Sequence, residues 1–126
     1  MKEMLIRCLW IGVAGFAGSL SRYLIGLWFG RLNILFPLGT LFINISGSFF
    51  LGWFAAHIVT RPVTDTTRLA IAVGFVGAYT TFSTFMLETN NLDVKGARLE
   101  AISNIAISLI LGLIAVKAGI MLARWI

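Results

Sequence analysis

A run of small hydroxyl side chains between aromatic rings is the part of the sequence best suited to chemistry. Residues 79–85 read Tyr-Thr-Thr-Phe-Ser-Thr-Phe. Hydroxyl groups can donate hydrogen bonds to a small anion, and the edge of a phenyl ring carries positive charge that an anion can approach. Uncharged, weak donors suit an anion that must be released again, as in a pore. The residue types therefore indicate a site for a small anion or polar solute.

Two phenylalanines and three polar side chains are the candidate lining of this site. Phe82 and Phe85 are three residues apart, so they share a face wherever the chain is helical. Ser83, Thr84 and, from another helix, Asn44 can supply hydrogen-bond donors. Packing in the core or against lipid explains most phenylalanines in membrane proteins, and this simpler interpretation stays open.

Nothing in the sequence predicts an enzyme. No nucleophile has a base at a recognisable spacing, and there is neither a metal-ligand cluster nor a glycine loop leading into a soluble helix. Glu88 is the one carboxylate near a span that could handle protons. Its position near a helix end favours a vestibule or interface residue instead.

Composition excludes a soluble domain. The 126 residues are 59% hydrophobic and 12% charged, whereas soluble domains carry about 25% charged residues. Such a chain has room for about four spanning helices of roughly 20 residues each. We therefore predict one transmembrane domain over residues 1–126. The net charge of +5 suits anionic lipid headgroups, and no basic cluster is interleaved with aromatics for nucleic-acid binding.

Four apolar segments set the predicted spans. They cover residues 4–29, 37–60, 68–88 and 98–124. Pro37 begins the second span, where its missing amide does no harm. Thr66 or Asp65 is the predicted N-cap of the third.

The third span is predicted to break near residues 78–81. Glycine, β-branched and hydroxyl residues weaken the helical hydrogen-bond ladder there. Non-helical backbone at membrane depth is tolerated where it is buried in protein or lines a wet cavity, and its freed carbonyls and amides can bind ions. The break is thus a functional hypothesis.

Polar residues form a stripe on two further spans, with Arg22 on the first. Thr40, Asn44, Ser48 and Gly52 follow at intervals of four, as do Asn104, Ser108 and Gly112. Helix packing explains Ser48, Gly52 and Ser108, while Asn44 has an amide that can bridge helices or donate to an anion. Arg22 either snorkels to the interface or attracts anions inside the bundle.

Basic residues are nearly balanced between the two predicted sides of the membrane. Lys2, Arg7, Arg61, Arg68 and Arg124 fall on one side, and Arg22, Arg31, Lys95 and Arg98 on the other. The positive-inside rule then barely selects an orientation. Insertion both ways and an antiparallel homodimer are consistent with this balance, and such a dimer would supply the inverted repeat that one chain lacks.

Together these motifs resemble the Fluc fluoride channels, also called the CrcB family. The resemblance covers all four spans and includes Gly-Ser-Leu-Ser-Arg-Tyr at residues 18–23, Pro-Leu-Gly-Thr-Leu at 37–41 with Asn44 and Gly47, and Gly-Ala-Tyr-Thr-Thr-Phe-Ser-Thr-Phe at 77–85. It implies an all-α, dual-topology antiparallel homodimer in a bacterial inner membrane. Two pores per dimer would pass fluoride passively and selectively out of the cell.

The resemblance also implies roles for individual residues. Phe82 and Phe85 would line the pore with ring edges, Asn44 would donate a hydrogen bond to the ion, and Ser83 and Thr84 belong to the same motif.

Other implied roles concern a cation, the vestibule and the polar track. Backbone carbonyls of Gly77 and Thr80 from both subunits would hold a structural Na⁺ at the dimer axis. Arg22 and Glu88 would belong to the vestibule. Asn104 and Ser108, on the polar track of the fourth span, would take part in fluoride binding, although Asn104 departs from the family pattern, where a larger His or Tyr is common.

Two other classes of protein compete with this interpretation. Small multidrug transporters are also short, four-spanning and of dual topology, but they depend on a carboxylate in the first helix. Residues 4–29 contain none. A non-transporting assembly subunit would explain the glycine faces and polar stripes as packing, but not the hydroxyls around a helix break.

Overall fold

The computed structural model describes residues 1–126 and contains only helices. They are α1 (Lys2–Gly30), α2 (Leu38–Thr60), α3 (residues 65–79), α4 (Phe82–Val94) and α5 (Arg98–Trp125). Helices α3 and α4 together form the span Asp65–Val94, so four segments are long and apolar enough to cross a membrane. The prediction of an all-α membrane protein with four spans is confirmed.

The third span begins earlier than predicted, and its N-cap prediction is wrong. Thr64 is the cap, because its extended backbone turns its hydroxyl toward the helix, where it accepts from the Thr67 amide at 3.1 Å. Asp65 is already in the first turn, and its carboxylate pairs with Arg7 at 3.6 Å and Arg68 at 3.5 Å. A carboxylate in the first turn of a helix is stabilised by the positive end of the helix dipole.

Helix α3 is irregular along most of its length. It runs as α-helix over Asp65–Leu69, as a wider π-helix over Ala70–Val76 and again as α-helix over Gly77–Tyr79. π-Helical turns are rare and occur frequently at functional sites. Sequence patterns did not predict this segment.

Two extended residues separate α3 from α4. Thr80 has φ −78° and ψ 158°, and Thr81 has φ −149° and ψ 118°. Both values of ψ lie in the β region, so the helix ends at Tyr79 and restarts at Phe82. The Thr80 amide makes the last helical hydrogen bond, to the Val76 carbonyl at 3.0 Å. This interruption falls within the predicted stretch of residues 78–81.

Glycines allow two close helix crossings. In α1 and α3, a methyl group on Gly18 would overlap the Phe75 carbonyl oxygen, and one on Gly74 would lie 2.7 Å from the Ile11 carbonyl oxygen. In α2 and α5, Gly52 meets the Val116 carbonyl and Gly119 meets that of Phe49. Small residues let membrane helices approach to backbone contact. These crossings hold the four spans at the positions that surround the break.

Candidate functional site

Asn44 on α2 clamps the interruption of the third span. Its Nδ2 donates to the Thr81 carbonyl at 3.0 Å, and the Thr81 amide donates to its Oδ1 at 2.8 Å. The side-chain amide therefore pairs with the Thr81 backbone as a second peptide group would. We call this pair of hydrogen bonds between Asn44 and Thr81 the clamp. It uses one Nδ2 hydrogen of Asn44 and leaves the other free to donate elsewhere.

Thr81 also starts the next helix. It is buried, and its hydroxyl accepts from the Thr84 amide at 3.2 Å while donating to the Thr84 hydroxyl at 3.0 Å. An N-cap threonine satisfies an amide that the first helical turn leaves without a partner. Sequence reasoning did not single out Thr81, although a threonine just before a resumed helix is a usual N-cap signal.

The two predicted pore phenylalanines are neighbours in very different surroundings. Their ring centroids are 6.1 Å apart with planes tilted by 58°. Phe82 is 73% exposed on the chain, whereas Phe85 is 5% exposed. Ser83 and Thr84 are also exposed. The side chain of Phe82 thus points out of the bundle, while that of Phe85 is part of it.

A cavity of about 920 Å³ lies beside the break, at the end of the bundle nearer the connection of residues 31–37. Its lining includes Arg22, Thr81, Thr84, Glu88 and Lys95. Arg31 lines it as well, so three positive charges against one carboxylate make it attractive to anions. The structure thus brings the predicted residues Arg22, Thr84 and Glu88 together, but Asn44, Phe82, Phe85 and Ser108 do not line this cavity.

The two charged groups that were predicted for a vestibule both line this cavity. An Arg22 guanidinium nitrogen is 3.5 Å from the Thr80 carbonyl oxygen, at the limit for a hydrogen bond. The Oε2 atom of Glu88 is buried and has no hydrogen-bond partner within the chain. A buried polar atom normally has a partner, and a carboxylate oxygen accepts hydrogen bonds, so Glu88 is suited to pair with a donor such as water in the cavity and would repel an anion there.

The backbone of the break fits the predicted cation ligands. Because the Thr81 amide donates to Asn44, it does not donate to the Gly77 carbonyl as it would in a continuous helix. Thr80 is extended, which turns its carbonyl out of the helical direction. No cluster of His, Cys, Asp or Glu side chains could hold a metal. Carbonyl oxygens are the ligands that hard cations prefer.

Asn104 and Ser108 lie together on α5, but Asn104 is enclosed. It is 1% exposed, and its Nδ2 donates to the Thr89 hydroxyl at 2.8 Å. Thr89 in turn donates to the Phe85 carbonyl at 2.7 Å. The Ser108 hydroxyl is 3.5 Å from Asn104 Oδ1, which leaves it weakly engaged.

Sequence reasoning missed two polar residues near the site. Thr89 carries the contact just described, and Ser46 bonds the Tyr79 hydroxyl at 2.8 Å, next to the break. Ser46 lies outside the stripe that begins at Thr40, and Thr89 follows the matched motif, so neither belonged to a recognised pattern.

Comparison with known proteins matches the chain to one family. Residues 9–120 fit the family model described as CrcB-like protein, Camphor Resistance (CrcB). A fluoride-specific ion channel FluC of Chlorobium chlorochromatii is 39% identical over 126 residues, which cover 99% of this chain and 98% of that protein. FluC of Trichormus variabilis is 46% identical over 90% of this chain and 85% of its own length.

A further relative, FluC of Idiomarina loihiensis, is 40% identical over 97% of this chain and 95% of its own length. The agreement extends over all four spans rather than over the break alone. The chain belongs to the CrcB family.

Proposed function

We propose that this protein is a fluoride-selective channel that exports fluoride passively from the cell. The observation that carries the proposal is full-length similarity to proteins named fluoride-specific ion channels, at 39% identity over 99% of this chain in one case. The hydroxyl and aromatic groups at the clamped break supply the chemistry such a channel needs. The protein is a channel and not an enzyme.

The pore lining is proposed from side chains around the break. Phe82 and Phe85 present ring edges to the ion, and Asn44 donates its second amide hydrogen. Ser83 and Thr84 are exposed, and the hydroxyl of Ser108 is weakly engaged, so all three have donors to offer. Several weak, neutral donors can replace part of a hydration shell without trapping the ion.

The working unit is proposed to be an antiparallel homodimer of dual topology with two pores. Phe82 is 73% exposed on the single chain although it belongs to the proposed pore. A second copy against this surface would enclose the ring and complete the lining. The near balance of basic residues at the two ends supports insertion in both orientations.

A structural Na⁺ is proposed at the dimer axis, held by the Gly77 and Thr80 carbonyls of both copies. It would neutralise carbonyl dipoles that the interrupted helix leaves without amide donors. Asn44 contributes indirectly, because it diverts the Thr81 amide from Gly77.

The vestibule is proposed to gather the anion before it reaches the break. Arg22 and Lys95 contribute positive charge to the cavity, and Glu88 limits how tightly an anion is held there. The host membrane is proposed to be a bacterial inner membrane, since the three relatives described above are bacterial.

The test is fluoride efflux from liposomes that contain the purified protein. Potassium with valinomycin compensates charge, and chloride serves as the comparison ion. Rapid efflux of fluoride but not chloride, without a proton gradient, is the expected result. Efflux only with an imposed proton gradient would replace the channel by a small multidrug-type proton-coupled transporter, which the comparisons do not favour, and no efflux would indicate an assembly subunit.

A further inference from the structure

We infer that Thr89 is a positioning residue for the pore, and that Asn104 acts through it on Phe85 instead of touching the ion. The inference rests on the proposed function, because it concerns the rate at which fluoride passes. It assigns a role to Thr89, which lies outside the recognised motif, and changes the role expected of Asn104.

A directed chain of hydrogen bonds carries the inference. Asn104 Nδ2 donates to Thr89 Oγ1 at 2.8 Å, and Thr89 Oγ1 donates to the Phe85 carbonyl at 2.7 Å. Thr89 is thus acceptor and donor at once, which fixes the rotation of its hydroxyl. Hydrogen bonds in such a chain polarise and strengthen one another in a medium of low dielectric constant.

Burial means that this series of hydrogen bonds has no water to replace it. Asn104 is 1% exposed, Phe85 5% and Thr89 9%. Because Asn104 is enclosed on all sides, its amide does not face an ion that passes outside this cluster. An asparagine that loses a buried partner bears the full cost of desolvation.

The chain acts on Phe85 because it ties that backbone to another helix. A threonine hydroxyl bonded to the carbonyl four residues earlier often bends a helix. Here the same hydroxyl is held by Asn104 on α5, so the Phe85 backbone on α4 is fixed relative to the fourth span. Phe82, 6.1 Å away, is largely exposed. Phe85 is accordingly the positioned ring of the pair.

The experiment measures fluoride efflux per active channel, in liposomes diluted to at most one dimer each, together with thermal stability in detergent. Thr89→Val keeps the shape and removes both hydrogen bonds; efflux per channel should fall about tenfold, and stability should fall too. Thr89→Ser keeps the hydroxyl and should restore the wild-type rate.

The double variant Thr89→Val/Asn104→Leu separates positioning from simple packing. Replacing both partners of a buried hydrogen bond by apolar groups can be nearly neutral for stability. We expect stability to recover while efflux stays about tenfold low. Should Thr89→Val fail to fold, this variant alone decides the matter.

Ser21→Ala is the matched control, since the Ser21 hydroxyl donates to the Ala17 carbonyl at 2.8 Å in the same local geometry but on α1. It should conduct at the wild-type rate. Wild-type efflux in Thr89→Val or in the double variant would overturn the inference. Absence of fluoride efflux in the wild-type protein would instead refute the proposed function.

Discussion

The half of the bundle nearer the chain termini and the region around the break are held together in different ways. In the terminal half, Gly52, Gly74 and Gly119 bring backbones into contact without any side chain between them. Around the break, hydrogen bonds of 2.8 to 3.0 Å join Asn44 on α2 to Thr81, and Asn104 on α5 to Thr89 on α4. Two glycines contribute to this second region as well, because Gly47 lies against the Thr80 side chain and Gly18 against the Tyr79 backbone.

This difference predicts which substitutions should affect folding and which should affect conduction. A glycine contact between two backbones has no room for an added side chain, whether polar or apolar. Substitutions in the terminal half should therefore destabilise the fold by overpacking. A hydrogen-bonded contact tolerates a change of side-chain shape poorly. Loss of a donor is more damaging still, because the buried partner is left without a hydrogen bond. Substitutions near the break should therefore impair conduction in a protein that still assembles.

The largest effect is expected from adding volume at the α2–α5 crossing. A side chain on Gly119 would overlap the Phe49 carbonyl and lie 2.7 Å from the Trp53 amide nitrogen. Gly119→Leu should lower the free energy of unfolding by about 3 kcal/mol, and the protein should no longer elute as a single symmetric peak in size-exclusion chromatography. Gly12→Leu is the control, because nothing lies within 4 Å of that position. A well-folded Gly119→Leu protein would break the comparison.

The next largest effect is expected from a negative charge at the clamp. Asn44→Asp keeps the acceptor for the Thr81 amide but loses the donor to the Thr81 carbonyl, and it adds a negative charge on the proposed anion path. Fluoride efflux should fall about 100-fold or more in the liposome assay, with the dimer peak unchanged. Ser48→Ala, one turn away on α2, is the control. Undiminished efflux in Asn44→Asp would mean that Asn44 only packs helices.

Removing one ring should have an intermediate effect and sharpen the contrast between buried and exposed residues. Phe82→Ile and Phe85→Ile should each lower fluoride efflux roughly tenfold or more, since an aliphatic side chain has no positive edge. Phe85→Ile should also lower the thermal stability of the single-chain fold more than Phe82→Ile does, because the chain's own bundle buries Phe85 to 5% exposure and leaves Phe82 73% exposed until a second copy covers it. The exposed Phe16 on α1 supplies the control variant Phe16→Ile. Full efflux in either pore variant would remove the ring-edge argument.

The smallest effect is expected from the helix caps. Thr81→Ala and Thr64→Ala each delete a cap that accepts one amide, at a cost of about 1 kcal/mol. Only Thr81 touches the proposed site, so Thr81→Ala should slow efflux a few-fold while Thr64→Ala leaves it unchanged. Equal rates in the two variants would show that the cap at the break is purely structural.

Sequence reasoning predicted the four spans and the position of the break because both depend on local composition. Long apolar runs mark spans whatever packs against them, and hydroxyl residues after Gly77 weaken a helix wherever it lies. The motif at residues 77–85 then identified the family through residue identity.

Contacts between distant parts of the chain could not be predicted in the same way. The Asn104–Thr89 pair depends on how α4 meets α5, and the burial of Asn104 depends on it too. Likewise, the π-helix of Ala70–Val76 has no periodic signal in an apolar segment without alternation. The N-cap at Thr64 was missed because three neighbouring residues, Thr64 to Thr66, are all acceptable caps.

The clamp between Asn44 and Thr81 joins residues 37 positions apart, and this has a consequence for biogenesis. When residues 65–94 first enter the bilayer without α2 beside them, their backbone groups can be satisfied only within the segment. The interruption must then arise late, when the second span docks against the third. A peptide of residues 65–94 in micelles should be helical through Thr80 and Thr81 by carbon chemical shifts; an interruption already present in the peptide would contradict this order of assembly.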